Sequence, residues 1–117
     1  MGNETFQFDP TAVEILLASM PHVPFDGWGD AALLAGANDC GHDAETVRTA
    51  FPRGKTDAIA LHSRLADKSM VEAFLELPVK PEKVHLTIRQ LVLLRLEIAQ
   101  PDKDAIRRAV SVLAMPA

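Results

Sequence analysis

Prolines divide this 117-residue chain into segments in which apolar residues recur at three- and four-residue spacing. Proline lacks a backbone N–H and clashes with the preceding helical turn, so helices are expected to end before these prolines. Aromatic residues make up 5% of the chain and tyrosine is absent, which favours helices over a sheet. We therefore predict an all-α protein of about six helices in one domain, 1–117, with a head (1–53) and a ligand or interface part (54–117).

Capping signals set the predicted helix bounds. Helix one follows the cap Asp9 and ends before Pro21, helix two spans about 30–40, and helix three runs from the cap Asp43 to Phe51. Helix four covers about Lys55 to Leu77 and is ended by Pro78 and Pro81. Helix five covers about Glu82 to Ala99, and helix six runs from the cap Asp102 to the residue before Pro116. Gly41 is expected to be the left-handed residue of a helix-turn-helix. Residues 22–29 are expected to form a connecting loop that turns Val23, Phe25 and Trp28 inward.

Charge is divided unequally along the chain. The net charge is −4, but the first 52 residues carry −7, with Arg48 as their one cation, and the remainder carries +3. A specific DNA-binding protein typically neutralises about 6–10 phosphates, largely with Lys and Arg. We therefore predict that the helix-turn-helix frame does not bind nucleic acid. Arg53 and Lys55 could still contact a phosphate, so DNA binding remains the alternative.

Two predicted helices carry unusual apolar surfaces. On helix four a stripe at about 100° per residue comprises Ile59, His62, Ala66, Met70, Ala73 and Leu77. Helix five has no wholly polar side, because its apolar residues are Leu86, Ile88, Leu91, Val92, Leu93, Leu94, Leu96 and Ile98. This pattern predicts a helix buried on more than one face, either at the centre of a bundle or in an interface. Arg95 falls within the main apolar arc and therefore needs a partner.

The candidate lipid-binding residues come from these two surfaces. They are Ile59, His62, Ala66, Met70, Leu91, Leu94 and Arg95. Each also has a structural interpretation, which we favour for the polar members: His62 as a buried, hydrogen-bonded histidine and Arg95 as one half of an ion pair with an acid on a neighbouring helix. Met70 and Phe74 are more often core residues than pocket residues.

Other chemistry is not indicated by the sequence. No nucleophile–histidine–acid order, paired catalytic carboxylates, phosphate-binding loop or HExxH motif is present, so we expect neither an enzyme nor a cofactor. Asp39, Cys40, His42 and Asp43 are close in sequence, but they straddle a glycine turn, and a cap-and-turn role is favoured over a metal site. A single cysteine and the lack of a basic, apolar leader predict a cytoplasmic protein.

Several short sequence segments of the chain resemble segments of known protein families. One resemblance is to the amino-terminal part of TetR regulators. It rests on Gly27-Trp28, the helix containing Ala31-Ala32-Leu33, Gly41 and the segment 51–55. The chain resembles the ninth coenzyme Q biosynthesis protein family more closely. The segments that carry this resemblance are 22–28, 50–54, Ile88-Arg89, Arg95-Leu96-Glu97 and 112–116. The resemblance covers nearly the whole chain.

This resemblance implies a TetR-like fold and a non-enzymatic, homodimeric accessory protein of ubiquinone biosynthesis. Such a protein binds an isoprenoid or other lipid and presents a quinone precursor to a hydroxylase, with peripheral contact with the inner membrane left open. Longer family members continue into helices that close the lipid cavity, so we expect a truncated or natural half-length form. Without those helices the apolar faces of helices four to six would be exposed, which predicts oligomerisation. A TetR-type transcriptional regulator and a plain helical interaction module are the competing hypotheses.

Overall fold

A computed structural model describes residues 7–78 and 82–114, and over these residues the chain is all-α, as predicted, with no strand. The helices are α1 (Pro10–Ser19), α2 (Val23–Asp26), α3 (Asp30–Asp39), α4 (Ala44–Ala50), α5 (Lys55–Leu75), α6 (Val84–Ala99) and α7 (Lys103–Ala114). Short 3₁₀ turns at Met20–His22 and Gln100–Asp102 precede α2 and α7. The predicted stop signals Pro81 and Pro116 lie outside the described residues.

Local capping chemistry sets the ends of the first helices. The Asp9 carboxylate accepts a hydrogen bond from the Thr11 amide at 3.1 Å, and Asp43 accepts one from the Thr46 amide at 2.9 Å. These hydrogen bonds from Thr46 hold the pKa of the Asp43 carboxyl below its ordinary value. Gly41 has φ +83°, and the following amide, of His42, donates to the Ala37 carbonyl at 2.8 Å. This is the Schellman arrangement expected at a helix end followed by glycine.

The segment predicted as a connecting loop is largely helical. Pro21 and Pro24 each occupy the first turn of a short helix, where the missing N–H costs nothing because it would have no partner there. Val23 and Trp28 are buried as expected, but the expectation for Phe25 was wrong, since this side chain is 87% exposed. Val23 and Phe25 are two residues apart on α2, and such positions lie on nearly opposite sides of a helix.

The core lies mainly in the amino-terminal half. Five apolar side chains that are at most 2% exposed join α1 to α3 there: Ile15, Leu16, Ala32, Leu33 and Ala37. The first turns of α5 close this core with Ala58 and Ile59. The last helix docks on it through Trp28, whose indole N–H donates to the Ala105 carbonyl at 2.8 Å.

Within one chain, predicted helix five does not lie at the centre of a bundle, and the other alternative, an interface, stays a prediction. On α6 Leu94 alone is buried among the described residues, and this helix packs against α5. Its outer positions remain exposed, with Val84 at 76% and Leu96 at 61%. The apolar composition that suggested a central helix therefore leaves a surface uncovered.

Candidate functional site

A groove forms where the end of α1 meets α5, α6 and the start of α7. Its volume is about 170 Å³, and it is lined by Leu17, Met20, His62, Leu65, Ala66, Ser69, Arg95, Ile98, Ala99, Asp102 and Ile106. The wall is mainly aliphatic and carries three ionisable groups, His62, Arg95 and Asp102. An apolar cleft with a few polar groups is the usual composition of a binding site for a small organic molecule.

His62 connects the groove to the head. Its Nε2 lies 2.9 Å from Asp102 Oδ2, and its ring meets the edge of the Trp28 indole at a centroid distance of 5.7 Å. The imidazole is 14% exposed, so its carboxylate partner satisfies a nearly buried polar group. The structure therefore places a part-buried, hydrogen-bonded histidine at the groove wall.

Arg95 faces the same groove from α6. Its Nε donates to Asp67 Oδ1 at 3.2 Å, which is the interhelical acid partner that the sequence required. The arginine side chain is 30% exposed and Asp67 is 49% exposed, so the pair is open to solvent on one side. The guanidinium is thus already partnered by Asp67, and a headgroup would have to share it.

The structure separates the seven candidate lipid-binding residues. His62, Ala66 and Arg95 line the groove together. Ile59 belongs instead to the core cluster, and Leu94 is 9% exposed. The remaining two, Met70 and Leu91, are half-buried and do not line this groove.

Several lining residues were not among the sequence-predicted candidates. Asp102 is predicted to be a helix cap, Leu17 and Met20 fall within predicted helix one, and Ile106 falls within predicted helix six. Local spacing could not have identified them, because Asp102 meets His62 across 40 positions of sequence. Only the packing of α7 against the head brings these side chains to one place.

The groove is too small to enclose a lipid by itself. Sites for drug-sized ligands have volumes of about 300–1,000 Å³, against about 170 Å³ here. A neighbouring cavity of about 390 Å³ at the Pro21–Pro24 turn shares Leu17, Met20 and Asp102 with it. A long apolar chain would therefore have to extend out of the groove onto the protein surface.

An apolar surface adjoins the groove. On α6 the exposed residues Val84, Ile88, Val92 and Leu96 are four positions apart and so lie along one side. A second shallow cavity contains Leu96, Ala99 and Ile106, and the last two also line the groove. On α7 the exposed apolar residues Val110 and Leu113 follow Ile106 at helical spacing. We call these exposed residues of α6 and α7 the α6–α7 face.

We expect the α6–α7 face to drive self-association. Large contiguous apolar patches are uncommon on monomeric proteins, and one side of α6 exposes Val84, Ile88, Val92 and Leu96 in succession. Light scattering coupled to size exclusion is expected to give at least twice the 12.7 kDa of one chain. A clean monomer across the micromolar range would refute this prediction.

Two glutamate variants on α6 locate the contact. Ile88→Glu places a carboxylate within the α6–α7 face and is expected to raise the dissociation constant at least about tenfold, which is about 1.4 kcal/mol. Arg89→Glu introduces the same side chain at the next exposed position and is expected to change association less, although it changes the net charge of the chain more, because it also removes a cation. An effect of Arg89→Glu as large as that of Ile88→Glu, or larger, would show that net charge, rather than this face, controls association.

Comparison with known proteins does not assign the chain to a family. It matches no family model, no curated protein and no solved structure. Over the described residues, no helix has both the length and the apolar content needed to cross a membrane.

Proposed function

We propose that this chain is a non-enzymatic, lipid-binding accessory protein of ubiquinone biosynthesis, with a TetR-like head and a homo-oligomeric form. The observation that carries the proposal is the aliphatic groove at His62 and Arg95 that continues into the exposed α6–α7 face. The sequence phrases that resemble the ninth coenzyme Q biosynthesis family supply the pathway and the hydroxylase partner. The cytoplasm, with peripheral contact with the inner membrane, is the location this role requires.

The arrangement suits an amphipathic ligand with a long apolar tail. Burial of apolar surface contributes about 25 cal/mol per Å², so an isoprenoid tail gains most by covering exposed aliphatic residues. Leu96 and Val110 are 61% and 63% exposed and offer such a surface. In an oligomer the tail would lie between two copies of the α6–α7 face, which would supply the volume that one groove lacks.

The polar groups of the groove suit the other end of such a ligand. Arg95 and Asp102 offer a hydrogen-bond donor and an acceptor within an otherwise aliphatic wall. A quinone carbonyl can accept a hydrogen bond from the donor, and a phenol hydroxyl can also donate one to the acceptor. Because Arg95 already contacts Asp67, we expect Arg95 to contribute the smaller part of the affinity for the ligand. Unchanged lipid content in the Arg95→Ala variant would show that Arg95 does not belong to the binding site.

Lipid extraction tests the proposal. Protein purified without detergent is extracted with organic solvent, and the lipids are identified by mass spectrometry. We expect an isoprenoid lipid or quinone precursor above the level of a mock purification. Ile106→Asp, which puts a charge where the groove meets the α6–α7 face, is expected to reduce this lipid at least about tenfold.

Ser111→Asp is the matched control for Ile106→Asp. It adds the same carboxylate to the same helix at an exposed polar position, so lipid content is expected to stay unchanged. Circular dichroism of both variants separates loss of binding from loss of fold. No isoprenoid lipid in the unmodified protein, or equal losses in both variants, would contradict the proposal.

A TetR-type DNA-binding regulator is the alternative, favoured by α3, the Gly41 turn and α4 lying in helix-turn-helix order. Its electrostatics are unfavourable, because Arg48 is bound to Glu45 at 2.5 Å and Arg53 to Asp57 at 2.8 Å. A DNA shift assay separates the two functions. Sequence-selective binding that weakens steeply with salt would favour the regulator.

A further inference from the structure

A mixed cluster of metal-ligating side chains lies outside the groove, on the head. Glu14 comes from α1, and Cys40 and His42 come from the turn between α3 and α4. One ligand atom from each residue, a carboxylate oxygen, the thiol sulfur and an imidazole nitrogen, lies within 4.8 Å of the other two. Sequence reasoning considered Cys40 and His42 but not Glu14, which is 28 positions from His42.

The fold holds two of these groups in contact already. His42 Nε2 is 2.6 Å from Glu14 Oε1, and the Cys40 thiol donates to the Gly36 carbonyl at 3.2 Å. Zinc bonds of about 2.0–2.3 Å in a tetrahedron place one sulfur and two nitrogen or oxygen ligands about 3.3–3.6 Å apart. No two of the three ligand atoms are more than 4.8 Å apart here, so side-chain rotations that move atoms by about 1 Å bring the set to this spacing, and the His42 and Glu14 atoms move apart.

The surrounding charge favours a cation. The first 47 residues contain no lysine or arginine, so no such side chain of this segment can neutralise Glu14. Glu14 and Asp39 place two carboxylates near the Cys40 thiol. Asp39 in turn contacts His22 at 2.6 Å, which makes a second imidazole–carboxylate pair on the same head.

The identity of the donors selects the class of metal. Thiolate and imidazole are ligands of Zn²⁺ and its first-row neighbours, whereas Mg²⁺ and Ca²⁺ prefer oxygen ligands alone. On binding, the Cys40 thiol would release its proton to solvent and form the metal–sulfur bond. His42 would coordinate through Nε2 with its proton on Nδ1, and Glu14 would exchange its contact with His42 for one with the metal.

We propose that Glu14, Cys40 and His42 form a three-ligand site for a divalent transition metal, with water as the fourth ligand. Zn²⁺ is the metal that we expect. The metal joins α1 to the turn between α3 and α4, and so stabilises the head. This site is separate from the groove at His62, and its existence does not depend on lipid binding.

Cobalt and zinc titrations test the site on the full chain, stripped with a chelator and kept reduced with a phosphine. Co²⁺ is expected to bind with one equivalent per chain and to give the near-ultraviolet charge-transfer absorption of a cobalt–thiolate bond. Excess Zn²⁺ is expected to remove this absorption and to raise the thermal midpoint by about 5 °C or more. Cobalt binding without the thiolate absorption would overturn the proposal.

Matched variants distinguish the site from general attraction of cations to an acidic head. Cys40→Ala is expected to abolish the thiolate absorption, and His42→Gln and Glu14→Gln are expected to weaken Co²⁺ binding at least about tenfold. His22→Gln alters the neighbouring histidine–aspartate pair and is expected to leave binding unchanged. Metal-free circular dichroism verifies folding of each variant. Weakening by His22→Gln equal to that by His42→Gln would overturn the proposal.

Discussion

Gly36→Ala is expected to lower the free energy of unfolding by about 3 kcal/mol, a large part of the stability of a domain of this size. Gly36 lies on α3 where that helix crosses the end of α1, and a Cβ built on it would lie 2.6 Å from the Ser19 amide nitrogen and 2.7 Å from its Cα. Alanine gains about 1 kcal/mol of helix propensity over glycine. The clash outweighs this gain in helix propensity, because the new Cβ meets backbone atoms of Ser19. Such a clash can be relieved only by moving the two helices apart.

A double variant shows why this contact concerns backbone. The same Cβ also approaches the Ser19 hydroxyl at 2.1 Å, and Ser19→Ala would remove that oxygen. Since the distances to the Ser19 nitrogen and Cα stay below 3.0 Å, Ser19→Ala is not expected to rescue Gly36→Ala. Urea denaturation followed by circular dichroism measures each variant. Asn38→Ala, at an exposed position of α3, is the control and is expected to shift stability by no more than about 0.5 kcal/mol.

Features that depend on neighbouring residues could be predicted from the sequence. The caps Asp9 and Asp43 and the left-handed Gly41 each act within a few positions of sequence, and the structure has all three. The same local reasoning failed at Pro21 and Pro24, since proline both ends one helix and begins another. Which of the two occurs depends on whether the next residues can complete a turn against the core, and this is a tertiary property.

Features that depend on helix packing could not be predicted from the sequence. The apolar pattern of α6 predicted that this helix has apolar residues on more than one face. It did not predict that most of these residues would remain exposed in a single chain. The groove and the metal cluster join distant segments, His62 with Asp102 and Glu14 with His42. Periodicity identifies a helical face, whereas its partner is set by the path of the whole chain.

Trp28→Ala is expected to lower the free energy of unfolding by about 4 kcal/mol and to detach α7 from the head. The indole is 9% exposed in the core cluster that contains Ala105 and Ala109 of α7. It also contacts His62 edge-on, so its loss leaves a cavity beside the groove. Because the contacts of α7 with the head centre on small alanines, the large tryptophan supplies much of the buried area that holds this helix.

Two further variants separate ring volume from the hydrogen bond. Trp28→Phe keeps an aromatic ring but loses the N–H that donates to the Ala105 carbonyl, which is expected to cost about 1 kcal/mol beyond the loss of volume. Phe25→Ala removes an aromatic side chain three positions away that is 87% exposed, and is expected to cost no more than about 0.5 kcal/mol. Hydrogen exchange over residues 103–114 is the direct measurement, because detachment of α7 should abolish its protection in Trp28→Ala and preserve it in Phe25→Ala. Equal protection in these two variants would mean that α7 is held by the alanine contacts and the His62–Asp102 pair rather than by the indole.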